Sequence, residues 1–188
     1  MIRYYPLTGV PRDICAGYGN RTSGGVTKLH DADDLCAPIG TPVVAVDDGV
    51  VTYGSDVMGG NVATLRVADG TGYFYAHLRD AQSGQRTVRA GEQLAVVGKT
   101  GNASAPGIPS HCHWQVWPGG QFNQGSVHPD PTADLMAAQL LAQPIGSGYP
   151  VKDIALAAAG VLAAAGLGYL AYREITRPGE LLPWRAYA

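Results

Sequence analysis

The stretch Pro42–Gly54, PVVAVDDGVVTYG, decides the fold class: a short valine run, an Asp-Asp-Gly interruption, then a second run of valine, threonine and tyrosine. β-branched and aromatic residues favour a pleated, half-buried backbone, and each run has the length of a strand rather than a helix. The same punctuation continues outward. NVATLRVADG (61–70), GYFYAHL (72–78), QRTVRAGEQLAVVG (85–98) and HCHWQVW (111–117) are strand-length runs divided by turn residues. Asp48-Gly49, Asp69-Gly70 and Ala90-Gly91 are the expected turns, the first two carrying the Asp-Gly hairpin signal. A helical period first shows in PTADLMAAQLLAQ (131–143), with Thr132 as its expected N-cap. Residues 1–25, rich in aromatic and turn residues, read as an irregular lead-in. The expectation is an all-β domain over 26–142, antiparallel sheets closed by one short helix.

Composition narrows the class. A chain of 188 residues can bury one good core. A formal charge of -2 leaves no basic footprint, so nucleic acid is not an expected partner. Three cysteines, Cys15, Cys36 and Cys112, cannot close a disulfide framework and lack CxxC spacing. Free buried thiols are the default expectation, with a Cys15–Cys36 bridge as the alternative.

The carboxyl-terminal part changes character. Residues 143–153 form a Pro/Gly linker, and 154–172, IALAAAGVLAAAGLGYLAY, carry no charge over nearly the length that crosses a bilayer as a helix. Tyr169 and Tyr172 suit an interface, and Gly160, Ala164 and Gly168 form a small-residue stripe that permits helix association. A transmembrane helix is expected, with a helix buried in a protein assembly as the alternative. Arg173, Arg177 and Arg185 in the tail 173–188 outnumber Lys152, which places that tail in the cytoplasm and the β domain outside. The amino end, MIRYYPLTGVPRD, shows no secretory apolar segment. Together these point to a membrane-anchored protein of the bacterial envelope or of a phage particle.

Chemistry concentrates in three segments: LHDADDLCAP with His30 and Asp34, YFYAHL with His77, and SHCHWQ with His111 and His113. Alternation along a strand puts His111 and His113 on one face and Cys112 on the other. That suits one metal ligand and one group beside it. Tyr73, Tyr75 and His77 are expected to share a face of their own strand, from which neighbouring strands bring His77 beside the His111/His113 pair. Asp31, Asp33 and Asp34 compete as carboxylate candidates, and His128 in VHPDP reads as a surface turn. Two histidines, a carboxylate and spare histidines are what metal-assisted hydrolysis needs.

From about Gly17 to Leu135 the chain resembles the M23 (lysostaphin/LytM-type) zinc endopeptidases that cut peptide bonds in peptidoglycan. The resemblance runs in order through HDADDLCAPIGTPVVAVDDGVV, GGNVATLRVADGTGYFYAHL, VRAGEQLAVVGKTGNAS, HCHWQV and a late DP. It implies sheets forming an open groove, Zn2+ held by His30, Asp34 and His113, and catalytic roles for His77 and His111. In that assignment His111 is the base that takes the attacking water's proton, and His77 holds the water or stabilises the developing oxyanion. Peptidoglycan peptides are the implied substrate; a helix-mediated oligomer or virion/tail proteins are the partners expected from the apolar stretch and the missing secretory segment. Ala32 departs from the glycine usual between the first histidine and aspartate, and Gln115 stands where glutamate is common. The TGNASAPGIPSH stretch (100–111) is longer than usual and is expected to line the substrate groove.

Two other classes share some of these signals. GTPVVAVDDGVV and VRAGEQLAVVG also resemble the half-barrels of biotinyl/lipoyl carriers and phosphotransfer proteins, with Lys99 as the nearest carrier lysine. Neither needs His30 and Asp34. A non-catalytic, membrane-anchored or virion structural protein with a vestigial site is the remaining alternative.

Overall fold

The computed structural model describes residues 2–23, 25–120 and 128–145. Thirteen strands lie among them. A seven-stranded sheet runs in the order β10 (Gly84–Val88), β7 (Gly49–Asp56), β8 (Gly60–Val67), β9 (Gly72–Leu78), β12 (His111–Trp117), β5 (Asp33–Cys36), β2 (Ile14–Ala16). A four-stranded sheet has the order β11 (Gln93–Val96), β6 (Pro42–Val44), β1 (Tyr4–Thr8), β13 (Gln139–Leu141), and β3 (Gly19–Ser23) pairs with β4 (Val26–His30) as a separate hairpin. All pairings are antiparallel except β1 with β13. The one α-helix among the described residues is α1, Thr132–Ala137.

The core contains Val51, Leu65, Tyr75, Cys112 and Trp114 from the large sheet, and Tyr5, Leu7, Val43 and Leu94 from the smaller one. Alternation then turns the other set of β12 side chains, His111, His113, Gln115 and Trp117, toward a groove on the opposite face. The core face and the groove face are thus written in one strand.

Several expectations need correction. The lead-in at 1–25 is not irregular: it supplies β1, β2 and β3, and Tyr5 and Leu7 are fully buried. Asp69-Gly70 turns the β8–β9 hairpin, but Asp48-Gly49 makes no hairpin, because β6 and β7 lie in different sheets. Gly49 is required there for close approach, since a Cβ would stand 2.3 Å from the Arg66 carbonyl oxygen. The helix ends at Ala137 because the residues after Ala138 extend and pair with β1 as β13. Thr132 lies inside it, and its hydroxyl donates to Asp33 Oδ2 at 3.0 Å instead of capping. Cys15 and Cys36 are bridged. Antiparallel pairing of β2 with β5 brings their Cα atoms to 5.6 Å, leaving Cys112 as the buried free thiol. Among the described residues no helix is long and apolar enough to cross a membrane, and the apolar stretch 154–172 lies outside them, as do 173–188.

Candidate metal centre

His113 and Asp34 meet because they are direct cross-strand neighbours on β12 and β5, the closest approach that two antiparallel strands give their side chains. His30 arrives separately, at the end of β4. Their ligand-type atoms all lie within 4.8 Å of one another. Asp34 Oδ1 is 2.8 Å from His113 Nδ1 and 3.2 Å from His30 Nε2, and those two nitrogens are 3.3 Å apart. Ligand atoms about 2.0–2.1 Å from a tetrahedral zinc ion sit about 3.3 Å from one another. The set therefore fits such an ion, with one position left over.

The three carboxylates of the first segment have separate fates. Asp34 alone faces His30, His111 and His113. Asp33 is buried and accepts from the Tyr18 backbone N–H and the Thr132 hydroxyl. Asp31 points to Gln115 and His128, accepting at 2.9 Å and 2.5 Å. His128 is accordingly buried, not in a surface turn as its Pro-Asp-Pro neighbours suggested. Ala32 is fully buried without a positive φ, so this loop has no need of glycine.

His77 reaches the site by a route that alternation does not give. On the β8 side, Asn61 pairs with Leu78 but Ala63 pairs with Tyr75, so Ala76 and His77 together stand opposite Val62. This is a β-bulge, and His77 takes φ 62° in it. Tyr73 and Tyr75 pack on Trp114 in the core, while His77 swings to the groove beside Phe74 and Ala76. The expectation that His77 shares the tyrosines' face is thus overturned by one extra residue. A left-handed non-glycine residue costs of order 1–3 kcal/mol and persists only when its surroundings fix it. Here the His77 N–H donates to the Gly59 carbonyl at 2.7 Å, and Nδ1–H donates to the Thr100 carbonyl at 2.9 Å.

His111 is held in the same way. Its Nδ1–H donates to the Pro109 carbonyl at 2.8 Å, leaving Nε2 3.6 Å from Asp34 Oδ1. The His77 and His111 rings meet edge to face at 4.8 Å. Backbone carbonyls only accept, so in the neutral ring each of these histidines carries its proton on Nδ1 and keeps a lone pair on Nε2. Burial, and then repulsion from His111 and His113, push the His77 pKa down to about 4. Burial opposes charge on Asp34, yet hydrogen bonds from His113 and His30 outweigh it and hold that carboxyl far below the usual range.

All five residues singled out in the sequence converge on one cavity of about 600 Å³. The 100–111 stretch contributes Asn102, Ala103 and Ile108 to its wall. Sequence reasoning missed Arg21, whose Nη2 lies 3.2 Å from Asp34 Oδ2. It also missed the Thr100 carbonyl, which no side-chain pattern could reveal.

The sequence model of peptidase family M23 matches residues 28–128. The DD-carboxypeptidase/endopeptidase Mpg of Neisseria meningitidis serogroup B is 40% identical over 95 residues, 50% of this chain and 21% of that protein. The peptidoglycan DD-endopeptidase ShyC of Vibrio cholerae is 32% identical over 121 residues, 62% of this chain and 25% of that one. The chain thus spans about a fifth to a quarter of the length of these curated relatives. The solved catalytic domain of lysostaphin from Staphylococcus simulans is 30% identical with a TM-score of 0.55, covering 66% of this chain and 92% of that chain. With the family match covering more than half of its length and the ligand geometry at its centre, the chain belongs to peptidase family M23.

Proposed function

We propose that this chain is a zinc-dependent endopeptidase that hydrolyses peptide cross-links or stems of bacterial peptidoglycan, opening the wall locally at the cell envelope or from a phage particle. The observation that carries the reading is the convergence, in one groove, of a His30–Asp34–His113 ligand set with two histidines whose protons are fixed on Nδ1. Zinc, when bound, would polarise the scissile carbonyl and acidify the attacking water. The chain's own residues do the rest. His111 Nε2, adjacent to the ligands, takes the proton of the attacking water and returns it to the leaving amine. His77, neutral near pH 7, accepts a hydrogen bond at Nε2 and so orients the water. A neutral ring with that tautomer has no proton to offer an oxyanion, so the water-holding role is the one retained for it.

The peptidoglycan substrate is supported by the match to family M23 and by the similarity to ShyC, a peptidoglycan DD-endopeptidase. In this reading the apolar stretch 154–172 is a membrane tether that confines hydrolysis to one place. The test is peptide release from purified sacculi followed by mass spectrometry. New amino termini are expected from wild type only, abolished by a chelator, restored by zinc, and absent with His111→Ala and His113→Ala. No release from walls of several chemotypes by zinc-loaded protein would sink the assignment.

A further inference from the structure

The groove contains one Lys or Arg among its described lining residues, Arg21. It sits in the middle of β3, paired with Lys28 of β4, on a hairpin that joins neither large sheet. The Arg21 side chain is 42% exposed, and Nη2 approaches two groups, His30 Nδ1 at 2.6 Å and Asp34 Oδ2 at 3.2 Å. His30 Nδ1 also lies 3.2 Å from the Gly17 carbonyl.

These contacts cannot all be hydrogen bonds at once. A guanidinium only donates and a carbonyl only accepts, so one ring nitrogen cannot serve both. When His30 Nε2 offers its lone pair to a metal, Nδ1 carries the ring proton and must give it to Gly17. Arg21 then keeps a single acceptor, Asp34 Oδ2. Its Nε and Nη1 make no hydrogen bond with any described residue, so most of a five-donor planar fork faces the groove unengaged. That fork matches a carboxylate, which it can grip at two points. The other groove carboxylate, Asp56, is taken by its own turn, where Oδ1 accepts from the Met58 and Gly59 N–H groups.

We propose that Arg21 is a substrate-binding residue that reads a free carboxylate on the peptide beside the scissile bond. The inference rests on the peptidase reading above and narrows its substrate class. A carboxylate gripped by Arg21 stands about 2.9 Å beyond a nitrogen that is 3.2 Å from Asp34 Oδ2, and at about 3.3–3.6 Å per extended residue that places it within about two residues of the reacting carbonyl. The carboxylate is either the chain terminus of the leaving residue or a side chain on the residue next to the cut.

Binding decides the matter independently of turnover. The full chain, zinc-loaded and carrying His111→Ala to block hydrolysis, is titrated calorimetrically with three probes. They are acetyl-Lys-D-Ala-D-Ala with a free terminus, the same peptide as its carboxamide, and acetyl-Lys-D-Ala-D-Glu amidated at its terminus. One of the two acids is expected to bind at least tenfold more tightly than the neutral peptide, and its identity names the source of the carboxylate. Adding Arg21→Gln should erase the difference while leaving the neutral peptide's affinity within twofold; Arg21→Lys should restore part of it. Equal binding of all three probes overturns the proposal. So does an acid preference that survives Arg21→Gln, because the metal would then be reading the carboxylate. Zinc affinity, measured by competition with a chelating dye, should fall less than tenfold in Arg21→Gln, which loses its contact to Asp34 Oδ2. A loss of tenfold or more would reassign Arg21 to positioning Asp34. If sacculi are not cut but Arg21-dependent acid preference persists, this site stands and the hydrolase reading falls.

Discussion

Gln115→Glu is a near-isosteric change with a large expected cost. Gln115 is 5% exposed, and its Nε2 donates to Asp31 Oδ1 at 2.9 Å while its Oε1 accepts from Trp117 Nε1 at 3.0 Å. Glutamate replaces that donor with a second carboxylate oxygen. Two unit charges 2.9 Å apart repel by roughly 6 kcal/mol at an effective dielectric of about 20. The protein has a cheaper escape. Protonating the introduced carboxylate at pH 7 costs about 1.4 × (7 − 4.3), or roughly 4 kcal/mol, and gives it a proton to donate to Asp31. The lower figure caps the penalty, and its pH dependence is diagnostic. The folded pKa of the new carboxyl is raised above the unfolded value, so the folded state binds the extra proton between the two. Stability of the variant relative to wild type therefore falls as pH rises from about 4.3, by up to about 1.4 kcal/mol per unit. Equilibrium urea unfolding of both proteins from pH 5 to 8 measures this. Gln115→Met, which loses the hydrogen bonds without adding charge, should cost about 1–3 kcal/mol with no added slope. A Gln115→Glu penalty below about 1 kcal/mol at pH 7.5, or one independent of pH, would refute the reasoning.

Four further outcomes follow from the same geometry. His77, lowered from 6.5 to about 4, gives the metal-stripped protein stability that is present above pH 6.5 and lost as pH falls toward 4, because the unfolded chain takes the proton first. The loss relative to His77→Asn, which tolerates the positive φ, should reach roughly 3 kcal/mol in acid unfolding curves, and a flat difference would contradict it. At Gly60, φ +69, a Cβ would stand 2.3 Å from Thr100 Oγ1 and 2.5 Å from its carbonyl carbon. Gly60→Ala should therefore cost more than about 2 kcal/mol and reduce peptide release, since Thr100 holds His77. Gly84→Ala, at φ +81 with open space around it, should cost only about 1 kcal/mol in thermal melts and leave release intact. Paired Cys15→Ser and Cys36→Ser changes remove a cross-link between residues 21 apart, worth about 3 kcal/mol by loop entropy, and reductant should lower the wild-type melting temperature but not the variant's.

The ease of reading each part of the molecule tracks how local its cause is. The runs from β7 to β9 and β12 were legible because their valines, tyrosines and tryptophans alternate within a few residues of each other. The His111–Cys112–His113 split between groove and core needed nothing beyond that period. β1 was hidden by Pro6, which cannot donate to a ladder. Its register with β13 shifts between Tyr4 and Thr8, across that proline, and the strand is held by backbone bonds on either side of it, Gln139 N–H to the Arg3 carbonyl and Gly9 N–H to the Leu141 carbonyl, together with the burial of Tyr5 and Leu7. β13 was hidden for the opposite reason: Gln139–Leu141 has good helical propensity but finds an extended partner far upstream in β1, and tertiary pairing wins.

The site divides along the same line. Residue types left Asp31, Asp33 and Asp34 competing, and the resemblance to the M23 endopeptidases gathered the five side chains without orienting them. His77 illustrates why. Alternation puts it on one face with Tyr73 and Tyr75, the structure turns that face into the core, and only a bulge with φ 62° brings His77 to the groove. The cause lies in two distant backbones. A Cβ on Gly101 would meet the Met58 carbonyl oxygen at 2.3 Å, and one on Gly60 would meet Thr100, so glycines let the β7–β8 turn and the Thr100 loop touch. That contact delivers the Gly59 and Thr100 carbonyls that receive the two His77 protons. The glycines are visible in the sequence as turn residues, yet their work here is to let one chain segment fix the conformation of a histidine on another. Strain at His77 is thus sustained by packing outside the five-residue set, so a change at Gly60 should lower activity although Gly60 is none of those five.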